Sequence, residues 1–264
     1  MKFGLLVMLV LGFGLPPMSA SAGTIESPAR PTAVTVRGPA EAVEGDRVTF
    51  TVRVPKAGRA KNVRLEAQTS DILGNKTWEG VRRTAVLGPK VALRTTVTAL
   101  NRQRYRAVVT YQDKTVVRSR PFSVKIWRWI PLTAFESYYD TGGIMDEAWW
   151  TFAINGLAYK GWGTYTRSTA WESRYTLGRH CTTMSGIFGV TDESADGSSG
   201  QVAIKADDKL LHTSPVLVPG SEHKTTLPLG RPYRISVSAT NPAASSELYA
   251  FPAIGDAEFL CTGL

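Results

Sequence analysis

Trp149, Trp150, Tyr165 and Arg167 fall within one stretch, AWWTFAINGLAYKGWGTYTRS, at residues 148–168. Flat aromatic faces stack on the C–H faces of a sugar ring, and a fixed guanidinium hydrogen-bonds its hydroxyls, so these residue types suit ligand holding more than bond breaking. Trp149 and Trp150 are neighbours on a predicted strand, so only one of them can face outward. Trp162, in the middle of the stretch, reads as core. A second chemistry is offered by Asp192, Glu193 and Asp196 in the loop TDESADGSSG. Their oxygens are of the kind that calcium takes, although an acidic surface turn explains them equally well and the spacing is not that of an EF-hand.

Catalytic arrangements are missing from the sequence. Glycoside hydrolysis needs two carboxyls flanking a cleft, and the adjacent Asp146 and Glu147 would point apart on a strand. His180, His212 and His223 form no metal-spaced pair, and no Gly-x-Ser-x-Gly elbow occurs. The glycines of the acidic loop open no helix and precede no Lys-Ser or Lys-Thr, which rules against a phosphate cradle. The expectation is therefore a noncatalytic protein.

The elements that would position these residues are all strands. In RVTFTVRV, residues 47–54, the apolar Val48, Phe50, Val52 and Val54 alternate with Thr49, Thr51 and Arg53, the pattern of a half-buried antiparallel strand. Similar runs lie at 33–37, 62–68, 91–99, 104–111 and 114–127, separated by turn clusters, and about seven strands in a hundred residues predict an immunoglobulin-like sandwich over 31–127. IWRWIP, residues 126–131, reads as an aromatic joint closed by a proline, and the domain boundary is placed there. Trp127 and Trp129 are expected to pack that joint.

Beyond it come strand candidates at Trp149–Ile154 and Leu157–Tyr159, with Asn155-Gly156 between them as a hairpin turn. Further runs cover 173–177, 182–190, 201–206, 224–229 and 233–239. The strands on either side of the acidic loop are read as a hairpin, and Asp207-Asp208 as a turn. No stretch has sustained helical periodicity, so the prediction for 128–264 is a second all-β sandwich, of jelly-roll type.

Residues 1–22 have the form of an export signal: Lys2, an apolar run from Phe3 to Leu15, and Ala20-Ser21-Ala22 before the predicted cut. Residues 23–30 read as a flexible leader. In an exported chain the two cysteines, Cys181 and Cys261, are expected to be bridged. No later segment is apolar enough to suggest a membrane-spanning helix.

The formal charge of +9 is unevenly distributed. Residues 23–130 hold 21 Lys or Arg against 8 Asp or Glu, a balance of +13, whereas 131–264 hold 9 against 14, a balance of −5. The basic half suits an anionic wall polymer. A membrane surface or nucleic acid would suit it too, but the solvated face of a sheet explains it better, since its cations mostly alternate along strands.

The segments AYKGWGTYTRS, WESRYTL, CTTMSGIFGVTDES, GQVAIKADDKLLHTSPVL and YRISVSAT, in that order and spacing, resemble the NPCBM domain, a carbohydrate-binding module found beside bacterial glycosidases. The resemblance implies a β-sandwich related to galactose-binding jelly rolls, in a family where some members hold calcium and sugar. Tyr165 stands where the family often has His, after Lys160, Gly161, Trp162, Gly163 and Thr164. EGDRVTFTVRV, VRLEAQ and YRAVV resemble bacterial Ig-like modules of secreted proteins.

Together these readings predict a secreted, two-domain, all-β protein that attaches noncatalytically to an extracellular or cell-wall glycan through Trp149, Trp150, Tyr165 and Arg167. Calcium, if used, would sit at Asp192, Glu193 and Asp196. Nucleic acid is not an expected partner. The alternative is an adhesion or protein-interaction module whose sugar site has decayed.

Overall fold

The computed structural model describes residues 33–98, 102–242 and 248–263. The predicted export signal (1–22) and leader (23–30) lie outside the described residues. The described chain is all-β, with two three-residue 3-10 turns as its only helical geometry.

In the first half the strands are Thr35–Arg37 (β1), Glu41–Val43 (β2), Arg47–Arg53 (β3), Ala60–Ser70 (β4), Lys76–Ala85 (β5), Lys90–Thr96 (β6), Arg102–Tyr111 (β7), Val116–Arg118 (β8) and Phe122–Pro131 (β9). β3 keeps the predicted alternation, with Val48, Phe50 and Val52 buried and the residues between them exposed. It lies between β1 and β6 in a three-stranded sheet. That sheet faces a second one running β5-β4-β7-β9, with β2 and β8 attached to β9 and β7. The inner faces close over Phe50, Leu65, Leu93, Tyr105 and Ile126, and the rings of Phe50 and Tyr105 lie 4.5 Å apart.

The second half contains Ser137–Asp140 (β10), Ile144–Met145 (β11), Phe152–Ile154 (β12), Leu157–Tyr159 (β13), Gly161–Thr164 (β14), Ala170–Thr176 (β15), Cys181–Val190 (β16), Gln201–Ala206 (β17), Lys209–Thr213 (β18), Glu222–Pro228 (β19), Arg234–Thr240 (β20) and Pro252–Cys261 (β21). One sheet runs β10-β15-β20-β17-β18. In the facing sheet β21 is central: β16 and then β19 lie along one edge, and β14 and β9 along the other. Between the sheets are Trp162, Trp171, Tyr175, Phe188, Ile254 and Phe259. Cys181 and Cys261 are bridged, directly opposite each other on β16 and β21 and 80 residues apart in sequence.

Four expectations require correction. The strands flanking the acidic loop do not form a hairpin. β16 pairs with β19 and β21, whereas β17 pairs with β18 and β20, so the loop crosses from one sheet to the other. The nearby hairpin is β17–β18, turned by Asp207 and Asp208 at φ 45° and 65°. The joint at 126–131 lies within a strand and not between strands. β9 runs through it, pairing with β7 at Phe122–Lys125 and with β21 at Arg128–Pro131. Pro131 ends the ladder, where its missing N–H costs nothing. Of the joint's two tryptophans, Trp127 is buried and Trp129 is 36% exposed, so only the first is packed as predicted. Lys125 and Arg231, one from each half, lie over the Trp127 ring at 4.4 and 5.4 Å. Finally, the predicted strand at Trp149–Ile154 begins only at Phe152; the tryptophans precede it in a turn.

Candidate functional site

The outer face of the β14/β21/β16 sheet is built from residues with little or no side chain. Gly163 and Gly189 both pair with Ala253, and Gly255 lies two positions along β21 from Ala253. A Cβ at Gly163 would come within 2.7 Å of the Trp150 ring, one at Gly189 within 2.6 Å of Ile154, and one at Gly255 within 2.6 Å of Tyr159. These three glycines therefore form a seat on which Trp150 and the β12–β13 hairpin rest, and any larger residue would lift them off. The hairpin turns at Asn155 and Gly156, φ 53° and 74°, as the Asn-Gly signal predicts.

This seat decides which of the paired tryptophans faces out. Trp150 packs against Phe152, ring centroids 4.9 Å apart, and is half-buried. Trp149 is 70% exposed. Tyr165 is 52% exposed and its N–H donates to the Gly143 carbonyl at 3.0 Å. Arg167 is exposed, with its guanidinium 4.0 Å from the centre of the Tyr249 ring. Trp162 is fully buried, as expected, and its Nε1–H donates to Ser173 Oγ at 2.9 Å.

Backbone bonds join the β12–β13 hairpin, the acidic loop and the segment that leads into β21. The Asn155 and Gly156 N–H groups donate to the two oxygens of Asp192, both at 2.8 Å. Phe251 N–H donates to Ser194 Oγ, and Ala195 N–H to the Tyr249 carbonyl, each at 2.9 Å. A continuous rim thus runs from the hairpin tip through the acidic loop to Tyr249 and Arg167. Tyr249 was missed in the sequence because it lies far along the chain from Arg167, between β20 and β21, and only the pairing of β21 brings it to this edge.

The acidic loop is thereby given a structural role. Asp192 has both carboxylate oxygens engaged by backbone N–H groups, while Glu193 and Asp196 point into solvent. No group of three His, Cys, Asp or Glu placed to share an ion occurs among the described residues. With Asp192 committed to the hairpin backbone, the three carboxylates do not converge as a calcium site needs.

Beside the rim, Asp146 accepts a short hydrogen bond from the Tyr175 hydroxyl. Burial raises the Asp146 carboxyl above its ordinary value, with Glu147 and Asp140 adding like charge and the Tyr175 bond opposing the shift. Tyr175 is itself pushed upward by burial and then by Asp146. A carboxyl whose folded pKa is raised stabilises the fold fully below its unfolded pKa and loses that contribution as pH rises through the folded value. Asn at 146 can still accept the Tyr175 bond but does not titrate. The D146N variant should therefore gain in melting temperature relative to the native protein as pH rises from below to above the ordinary carboxylate range. A constant difference across that range would show that Asp146 carries no such burden.

Residues 147–240 match the NPCBM/NEW2 domain family. It is this segment of the chain that is similar to NPCBM domains. The match includes Trp149, Trp150, Tyr165 and Arg167 and ends before Tyr249 and β21. No curated protein matches the chain.

Among solved structures, the CBM51-2 and INT domains of Clostridium perfringens ZmpB are 15% identical, with a TM-score of 0.43 over 61% of this chain and 38% of that one. The CBM51 of Clostridium perfringens GH95, solved with methyl-galactose, is 19% identical, with a TM-score of 0.41 over 50% of this chain and 99% of that one. The CBM36-1 domain of a multidomain xylanase from the hindgut metagenome of Trinervitermes trinervoides is 13% identical, with a TM-score of 0.31 over 52% and 99%. This chain thus spans well under half the length of the first of these.

Proposed function

We propose that this is a secreted, noncatalytic carbohydrate-binding protein that attaches to an extracellular glycan or anionic wall polymer, its NPCBM domain (residues 128–264) carried on an Ig-like domain (residues 31–127). The observation that carries the reading is the coincidence of the NPCBM match with the exposed Trp149, Tyr165 and Arg167, the last of them seated on the Tyr249 ring. Trp149 supplies an unobstructed ring for a sugar's C–H face. Tyr165 adds a second face and a hydroxyl. Arg167 is exposed and steadied over Tyr249, and an already ordered side chain loses less entropy on binding. Trp150 serves as a foundation, since its ring lies on Gly163. Attachment at the cell surface follows from export by residues 1–22 together with retention by the polymer.

A glycan array probed with the mature protein identifies the ligand, and calorimetry with the best binder tests the rim. Trp149→Ala should weaken binding by about tenfold, and Arg167→Ala by a few-fold, with melting temperatures unchanged because both side chains are exposed. A binder whose affinity ignores both variants would move the site away from this rim. Release of product from wall polysaccharides at catalytic protein levels would overturn the noncatalytic assignment.

A further inference from the structure

The outer face of the β1-β3-β6 sheet carries Arg37, Arg47, Arg53, Lys90 and Arg94, all exposed. The other exposed positions on these strands are threonines and one alanine, with no carboxylate among them. Arg82 of β5 joins Arg47 and Arg94, with Thr49, Thr95 and Thr96, around an open depression of about 540 Å³. None of these six cations takes part in an ion pair among the described residues, where the pairs present engage Arg64, Arg106, Lys125, Arg128 and Arg174. The Asp46 carboxylate, next to Arg47 in sequence, accepts the Val43 N–H instead.

This arrangement works against stability. Arg53 and Lys90 lie directly opposite each other in the ladder, and Arg47 and Arg94 are diagonal neighbours, since Arg47 faces Thr96 and Thr49 faces Arg94. Like charges so placed destabilise a sheet. From Arg47 to Arg53 the band extends about 20 Å at the rise of an extended strand, with its cations in two groups, Arg47 with Arg94 and Arg37 with Arg53 and Lys90, spaced about 5 to 8 Å within each group and about 12 Å between them. Guanidinium forks clamp sulfate, phosphate or carboxylate groups in pairs, and threonine hydroxyls can bond the sugar oxygens between them.

We propose that this sheet face, with Arg82 beside it, is a docking surface for a linear anionic polysaccharide carrying about one acidic group per sugar or two. The inference rests on the anionic-polymer side of the proposed function and does not involve the aromatic rim. Charge complementarity selects a polyanion, and the face selects among polyanions. Single-stranded nucleic acid is held by aromatic stacking platforms, and no aromatic residue lies on the exposed side of these strands. Duplex readout needs a helix or ribbon that enters a groove, and this face is a sheet seen broadside.

The test uses the full mature protein and a fluorescently labelled heparin octasaccharide as the probe, followed by anisotropy at low and moderate salt. The Arg47→Thr/Arg94→Thr double variant should weaken binding by about tenfold or more at low salt, and added salt should weaken the native protein steeply. The charge-matched control Arg118→Thr/Arg120→Thr, which removes two exposed arginines elsewhere, should change affinity by less than about twofold. Lys90→Glu should weaken heparin binding while raising the melting temperature, because it gives Arg53 an opposite charge across the ladder.

Equal weakening by the face and control variants would reduce the effect to net charge and overturn the proposal. So would heparin binding indifferent to the face variant, or tighter binding of duplex DNA of equal charge. Neutral-glycan binding measured on the same double variant should remain intact, so failure of this surface and failure of the rim are told apart.

Discussion

Replacing Cys181 and Cys261 with serine is expected to lower the unfolding free energy by about 4 kcal/mol, the loop-closure entropy released when a bridge spanning some 80 residues is lost. The bridge joins the N-terminal end of β16 to the C-terminal end of β21. β21 carries β16 on one edge and β14 and β9 on the other. Without the bond the last residues of β21 can fray, exposing Phe259 and the Arg128–Pro131 pairing to water. Thermal unfolding should show a drop of roughly 10 °C or more, which reducing agent reproduces on the native protein. An unchanged midpoint in both experiments would mean that the ladder holds this corner unaided.

Trp162→Ala should cost about 3 to 5 kcal/mol, the range for emptying a buried aromatic site. The side chain is fully buried between the two sheets, and its indole N–H is held by Ser173 Oγ, which has no exposure of its own. The truncation leaves both a void and a buried hydroxyl without the indole. Trp162→Phe separates the two losses, since it fills most of the void and removes only the N–H. It should cost about 1 to 2 kcal/mol. Denaturant titration of both variants, read by circular dichroism, measures the difference. Near-native stability of the alanine variant would show that the sheets collapse onto the gap.

The strands legible in the sequence were those with one wet face. Val48, Phe50 and Val52 alternate with polar residues because β3 has water on one side, and Val202 and Ile204 do so on β17. β21 gave no such signal. In PAIGDAEFLC nearly every residue is buried or half-buried, on both faces, and the outward positions Ala253 and Gly255 are small because the hairpin rests there. β5 failed in the opposite sense: as an edge strand exposed along almost its whole length it has no buried row to set a period. At the rim, the residue types were readable but their orientation was not. Trp149 and Trp150 are chemically alike, and Gly163, which lies across the sheet from them in the fold, sorts one from the other. Tyr249 carries no local mark that it will support Arg167.

The strand shared by both sandwiches bears on how a pulling force would pass through the protein. β9 is hydrogen-bonded to β7 at one end and to β21 at the other, with no linker between. A tug applied to one half while the other is moored is carried along the axis of a single extended strand. The bonds on either side of it are then loaded together in shear, where peeling would break them one at a time. Tension would thus pass from one half to the other through a shared strand, with the cationic face in one half and the aromatic edge in the other.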